Sequence, residues 1–165
     1  MRSGDPDNCE EQASRAYWQV LFGSDFRRDR DAPGLNAALN YSYAVLRACV
    51  ARGLVGAGLH PSFGLHHKNP QNPFNLVDDL VEPFRPIADL LLWEKYRGKI
   101  DALDVETKTG LSALTAISVP VGEDETSPLS LAAVRTCRSL AALYLGEGDK
   151  IALPALPTPL DVAAA

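Results

Sequence analysis

The stretch GLHPSFGLHHKNPQNPFNLVDDLVEPFRP, residues 58–86, sets His66 and His67 ahead of Asp78, Asp79 and Glu82. One imidazole with two or three carboxylates suits Mg²⁺ or Mn²⁺ better than a structural zinc. Adjacent side chains diverge, so the two histidines cannot easily ligate one ion, and the partners of either must come from elsewhere. Asp79 and Glu82 are three residues apart, which on a helix puts them on one face, opposite Leu76, Leu80 and Phe84. That face reads either as a pair of oxygen ligands turned into a cleft or, more commonly, as a solvated acidic surface. A further carboxylate, Glu10, shares a predicted helical stripe with Ala13, Tyr17 and Leu21, where a buried charge needs a partner, a metal or a proton. Glu10 equally completes a capping box begun at Asp7, and taken alone the cap is the commoner case. Its neighbour Glu11 faces Arg15 at i+4, an ordinary surface pair. Spacing therefore describes a His/carboxylate metal site on a helical scaffold and nothing sharper. No glycine-rich phosphate loop, GxSxG elbow or CxxC pair competes with it.

Helices must position these groups. Asp7 as N-cap and Glu10 at N3 predict a first helix over 8–22, closed by Gly23. A basic loop follows, GSDFRRDRDAPG. Leu35, Leu39, Tyr43, Leu46, Val50, Leu54 and Ala57 recur at three- and four-residue steps, which predicts a second helix over 35–57 ended by Gly56 and Gly58. Asn36, Asn40 and Arg47 fall on a flank of its stripe. The loop over 59–75 carries Pro61, Pro70, Pro73 and all three histidines. Asn75 is a capping residue for a third helix that starts at Leu76. Pro83 and Pro86 lie inside its pattern, and the lost N–H and ring clash of each predict a kink or break near Glu82. A fourth helix is expected over 105–117, SVPV as a short extended piece, and a fifth helix over 128–145 opened by Ser127 and Pro128 as N-cap and N1. The fold class is mainly α, a multi-helix lobe with little or no β. It divides into an α-helical domain over 1–150 and a Pro/Ala-rich tail over 151–165, extended or frayed.

A chain of 165 residues, 46% apolar and 22% charged, suits one domain with a real core. No apolar run reaches a membrane span, and the polar, acidic N-terminus is not a secretory signal. Cys9, Cys49 and Cys137 are odd in number, far apart and without CxxC spacing, which argues against a disulfide framework and for a reducing, cytoplasmic setting. The net charge of −5 is unevenly spread: residues 15–75 hold seven basic and three acidic side chains, a balance of +4, against −9 elsewhere. Such asymmetry permits a phosphate-contacting face without proving one.

Four stretches resemble, in order and with similar gaps, the catalytic lobe of the CRISPR-associated integrase, the core enzyme of spacer acquisition, in its type II variety. GDPDNCEEQASRAYWQVLFG resembles the family's N-x-E-A-x-A-A helix with its aromatic pair and L-F-G. DFRRDRDAPGLNAALNYSYAVLRACVARGLVGAGLHP resembles its N-x-x-L-N-Y-x-Y-A-x-L helix. GLHPSFGLHHKN resembles G-L-x-P-x-x-G-x-x-H, and NPFNLVDDLVEPFRP resembles D-L-x-E-P-F-R-P. The match is dense over 4–89 and continues loosely through TSPLSLAAVRTCRSLAALYLGE.

The resemblance implies residue roles. The family's metal-binding glutamate falls on Glu10, its histidine on His67 rather than His66, its last metal-binding acid on Glu82, and a supporting acid at the metal on Asp79. Asn8, Tyr17 and Arg85 match further motif positions. Implied with them are a Mg²⁺- or Mn²⁺-dependent endonuclease and integrase and the attack of a DNA 3′-hydroxyl on a phosphodiester at a CRISPR repeat boundary. Arg27, Arg28, Arg30, Lys68 and Arg85 become candidate DNA contacts. Implied partners are prespacer and repeat duplex DNA, a second copy of the chain in a homodimer, and a small ferredoxin-like CRISPR-associated protein, with no membrane. Two departures stand out. Glu11 occupies a position that is usually alanine. The family's N-terminal β-rich domain is absent from this chain, as expected of a fragment, a truncation or a split gene. A second expectation follows: a catalytically inactive DNA-binding or interaction module.

Overall fold

The computed structural model describes residues 9–97, 99–122 and 125–156, the side chain of Glu10 excepted. Its order is α1 (Cys9–Phe22), α2 (Leu35–Gly56), α3 (Asn75–Val81), a 3-10 turn (Glu82–Phe84), α4 (Arg85–Tyr96), α5 (Val105–Ser112), a second 3-10 turn (Ala113–Ala116), β1 (Ser118–Val121), β2 (Glu125–Pro128) and α6 (Leu129–Leu145). The strands form one antiparallel hairpin, with Ser118 opposite Pro128 and Val121 opposite Glu125. The architecture is mainly α, as the pattern predicts. Among the described residues, no helix is long and apolar enough to cross a membrane.

Helix α2 is the axle, in contact with α3, α4, α5 and α6. Its apolar stripe feeds two clusters. Leu46, Val50 and Leu54 join α3, α4, the hairpin and α6, while Ala38 and Leu39 join Leu92 and Leu111. Tyr43 touches both clusters. Gly53 sets the approach of α6: a Cβ there would stand 3.0 Å from the Cys137 sulfur and 3.3 Å from the Ala133 carbonyl oxygen. Helix α1 is attached through an aromatic cluster, with Trp18 and Phe22 stacked at 6.0 Å and both against Phe26.

The structure corrects several expected boundaries. Asn75 does not cap α3; Phe74 holds that position without a side-chain cap. Asn75 is buried instead, and its amide donates to the carbonyls of Ser62, Asn69 and Asn72 at 3.2, 2.8 and 3.1 Å, stapling the preceding loop. One expected boundary holds: the α-helix breaks near Glu82, where α3 ends at Val81 and a 3-10 turn covers Glu82–Phe84, with Pro83 and Pro86 each in the first positions of a new helical segment. The fourth predicted helix ends at Ser112 and continues as a 3-10 turn. Ser127 and Pro128 belong to β2, since pairing of Ser127 with Val119 claims that backbone, and α6 opens at Leu129. The tail is extended through Leu156 but docked: the Ala155 N–H donates to the Pro120 carbonyl at 2.9 Å and the Thr136 hydroxyl to Ala152 at 2.7 Å.

Candidate active-site cleft

The loop before α3 folds over one carboxylate. Asp79 Oδ2 accepts the N–H of Leu65 at 2.5 Å and of His66 at 3.1 Å. Its Oδ1 accepts the His67 N–H at 3.1 Å and contacts His67 Nδ1 at 2.6 Å. The Asp79 side chain is only 7% exposed. Burial pushes its pKa up, but the bonds from the His67 ring and from the backbone of His66, His67 and Leu65 outweigh it and hold the carboxyl below its ordinary range. An ionised Asp79 takes a proton on the facing Nδ1, so in the neutral tautomer of His67 the lone pair lies on Nε2. Gly64 makes this fold possible. A Cβ there would lie 2.2 Å from the His67 carbonyl oxygen and 2.9 Å from Asp79 Oδ2.

His67 and Glu82 line the same cleft, about 790 Å³, together with Arg28, Arg30, Arg47 and Arg85. Glu82 heads the 3-10 turn, half-exposed, and pairs with Arg85 at 2.9 Å. The Arg85 guanidinium lies 5.0 Å over the Tyr43 ring, and its Nε is buried without a hydrogen-bond partner. Asp78 is neutralised by Arg47 at 2.8 and 3.1 Å, so it is spoken for. His66 contributes its N–H to Asp79, while its ring stays exposed, edge-on to His67 at 5.7 Å.

The flank of α2 fastens the basic loop. Asn36 accepts from Arg28 and donates to the Arg27 carbonyl, both at 3.0 Å. Asn40 accepts from Arg28 at 2.6 Å and donates to the Arg30 carbonyl at 2.7 Å. Burial lowers the Arg28 pKa, against the pull of Tyr43. Of the expected DNA contacts, Arg28, Arg30 and Arg85 face the cleft. Arg27 lines an adjoining hollow beside α1, and Lys68 another on the far side of His67.

The expected ligands are thus brought together in part. Asp79, expected at the metal as the supporting acid, has both oxygens turned to the 65–67 loop, where they hold the His67 ring and the backbone of Leu65, His66 and His67. The side chain of Glu10 and all of Asn8 lie outside the described residues, although the backbone of Glu10 lies in the first turn of α1. Among the described residues, no three His, Cys, Asp or Glu side chains converge into a metal site. The donors that remain, an imidazole nitrogen of His67 and the exposed Glu82 carboxylate on one cleft, have the chemistry a hard divalent cation takes.

One polar residue escaped the sequence reading. Asp89, 2% exposed, accepts the Tyr17 hydroxyl at 2.7 Å and the Tyr43 hydroxyl at 2.6 Å on the cleft floor. Burial pushes its pKa up to about 6, against the bonds from Tyr43 and Tyr17 and the charges of Arg85 and Arg28. Both tyrosines are raised as well, chiefly by burial. The signal was available: a lone acid among Ile87, Ala88, Leu91 and Leu92, all buried, contradicts the helix's own pattern.

Residues 7–117 match the family described as CRISPR associated protein Cas1. Over 103 residues the chain is 52% identical to the CRISPR-associated endonuclease Cas1 of Neisseria meningitidis serogroup C (strain 8013), which covers 62% of this chain and 34% of that protein. A CRISPR-associated endonuclease Cas1 of Saccharolobus solfataricus is 43% identical over 93 residues, 52% of this chain and 30% of that one. A third, from Pyrobaculum aerophilum, is 30% identical over 142 residues, 81% of this chain and 46% of the relative. The chain therefore spans about a third to a half of the length of these relatives. A solved casposase bound to integration product superposes with a TM-score of 0.67 at 22% identity, over 86% of this chain and 50% of that one, which shows a shared fold.

Proposed function

The chain belongs to the Cas1 family of CRISPR associated proteins, and on that footing we propose that it forms the catalytic lobe of a metal-dependent DNA integrase and endonuclease that inserts prespacer DNA into a CRISPR array. The observation that carries the reading is the Asp79–His67 couple beside Glu82 on a cleft lined with arginines. Glu10, His67 and Glu82 would hold the ion, Mg²⁺ or Mn²⁺. When bound, it supplies Lewis-acid polarisation of the phosphoryl oxygen and stabilises charge on the entering and leaving oxygens.

The rest is done by the protein's own groups. Asp79 holds His67 in one tautomer and one orientation. Arg28, Arg30 and Arg85 take phosphate oxygens and align the scissile linkage. The 3′-hydroxyl oxygen forms a new bond to phosphorus, the bond to the departing 3′-oxygen breaks, and the proton lost by the first is regained by the second from solvent. One phosphodiester replaces another, so no outside energy source is needed. Basic contacts of this kind are sequence-independent and salt-sensitive. In this reading the lobe works as a homodimer, with a ferredoxin-like CRISPR-associated protein as partner.

The test is strand transfer of a short duplex into a supercoiled plasmid carrying the array, with and without Mn²⁺. Metal-dependent products that vanish in Glu82→Ala and His67→Ala support the reading; a fully active Glu82→Ala variant overturns the assignment. The alternative reading is a DNA-binding or interaction module without catalysis of its own. It predicts retained DNA with no product in either condition.

A further inference from the structure

Neither the metal donors nor the phosphate-facing arginines account for Asp89. It sits on α4 between apolar neighbours, 2% exposed, with one oxygen given to a helix on each side: Oδ2 to Tyr17 of α1, Oδ1 to Tyr43 of α2. A buried carboxylate costs stability relative to an apolar residue of similar volume. What it supplies here is geometry, because two directional bonds from two helices meet on one rigid side chain.

Helix α1 needs that geometry. Its aromatic attachment through Trp18 and Phe22 lies in its C-terminal half, and residues 11–16 are exposed. Apolar contacts resist separation but are non-directional, and each residue of helix rotation swings a face by about 100°. Tyr17 lies seven residues beyond Glu10, about two turns along the same face. The same carboxylate also fixes the Tyr43 ring, on which the guanidiniums of Arg28 and Arg85 rest at 5.8 and 5.0 Å. The charged and titratable groups facing Asp89 are therefore Tyr17 from α1, Arg28 from the basic loop, Tyr43 from α2 and Arg85 from α4 itself.

We propose that Asp89 is a positioning residue: through the Tyr17 and Tyr43 hydroxyls it locks the rotation of α1 against α2 and α4, and so fixes how α1 borders the cleft that His67 and Glu82 line. Its consequence for metal binding rests on the proposed function, whereas the lock itself does not.

Two measurements on this chain separate the parts. Hydrogen exchange of the α1 amides, without metal, is compared in wild type, Asp89→Leu and Asp89→Asn. The lock predicts exchange over 13–22 faster by about tenfold in Asp89→Leu, with the buried α2 and α6 amides unchanged, and a smaller rise in Asp89→Asn, whose amide oxygen still accepts one hydroxyl. Unchanged α1 exchange in Asp89→Leu overturns the proposal. Mn²⁺ titration followed by electron paramagnetic resonance then adds a double-mutant cycle with Glu10→Gln. Asp89→Leu is expected to weaken Mn²⁺ binding about tenfold in the wild-type background and not at all in Glu10→Gln, because the effect travels through α1. An equal loss in both backgrounds overturns the link to Glu10. Absence of saturable Mn²⁺ binding by the wild type overturns the metal reading instead, and the exchange data alone then decide the lock.

Discussion

Replacing Asp79 by asparagine keeps the shape of the side chain and removes what the 65–67 loop takes from it. Four donors converge on its two oxygens: the N–H groups of Leu65, His66 and His67, and the Nδ1–H of His67. An amide offers one oxygen, so in either orientation two donors face an NH₂ group. Each lost bond to a charged acceptor is worth about 1.5–3 kcal/mol. Leu65 and His66 are exposed, so water recovers part of that, and the expected loss of unfolding free energy is about 2–3 kcal/mol. The orientation that presents NH₂ to the ring forces Nδ1 to accept, moves the proton to Nε2 and removes the lone pair left for a ligand. Mn²⁺ affinity then falls by about 10–100-fold. Urea unfolding without metal and a Mn²⁺ titration read the two effects separately. A variant within about 0.5 kcal/mol of wild type that binds Mn²⁺ equally well would refute the reasoning.

Gly64→Ala places a methyl 2.2 Å from the His67 carbonyl oxygen and is expected to lower the melting temperature and impair metal binding together. Gly56→Ala, with nothing within 4 Å, is expected to be neutral or stabilising by up to about 1 kcal/mol in the same melts. Asp89 titrates at about 6 when folded against an ordinary 3.8, so the folded state holds the proton more tightly and this contribution to stability is lost as pH rises from about 4 to 6. Relative to Asp89→Asn, wild type should lose about 3 kcal/mol across that window, and a pH-independent difference in urea melts would contradict it. Arg30→Ala is expected to weaken duplex DNA binding uniformly across sequences and to reduce the salt slope by about 1 in titrations from 50 to 200 mM salt.

Periodicity sufficed where a helix buries a continuous stripe. The Leu35–Ala57 pattern lies over the observed Leu35–Gly56, and the proline pair marks the change of pitch at Glu82. It failed where a side chain's partner is distant in sequence. Asn75 looks like a cap from its position before Leu76, but three loop carbonyls needed its amide more than the helix did. Ser127 looks like a cap as well, and strand pairing with Val119 overrode that local preference. In the cleft, the family motifs singled out His67, Glu82 and Asp79. That Asp79 turns inward follows from the path of the 64–67 loop, which no spacing rule encodes. Asp89 was the plainest omission, since its neighbours on α4 are apolar and its two partners lie 46 and 72 residues away.

Anomalous diffraction from crystals of this chain grown with Mn²⁺ tests the central claim most directly. The account predicts one strong peak in the arginine-lined cleft, within about 2.0–2.3 Å of His67 Nε2 and of a Glu82 carboxylate oxygen, with Glu10 as the third protein ligand and Arg85 released from Glu82. A peak on Asp78 or Asp79 with His67 uncoordinated, or a cleft without manganese at saturating concentration, would contradict it.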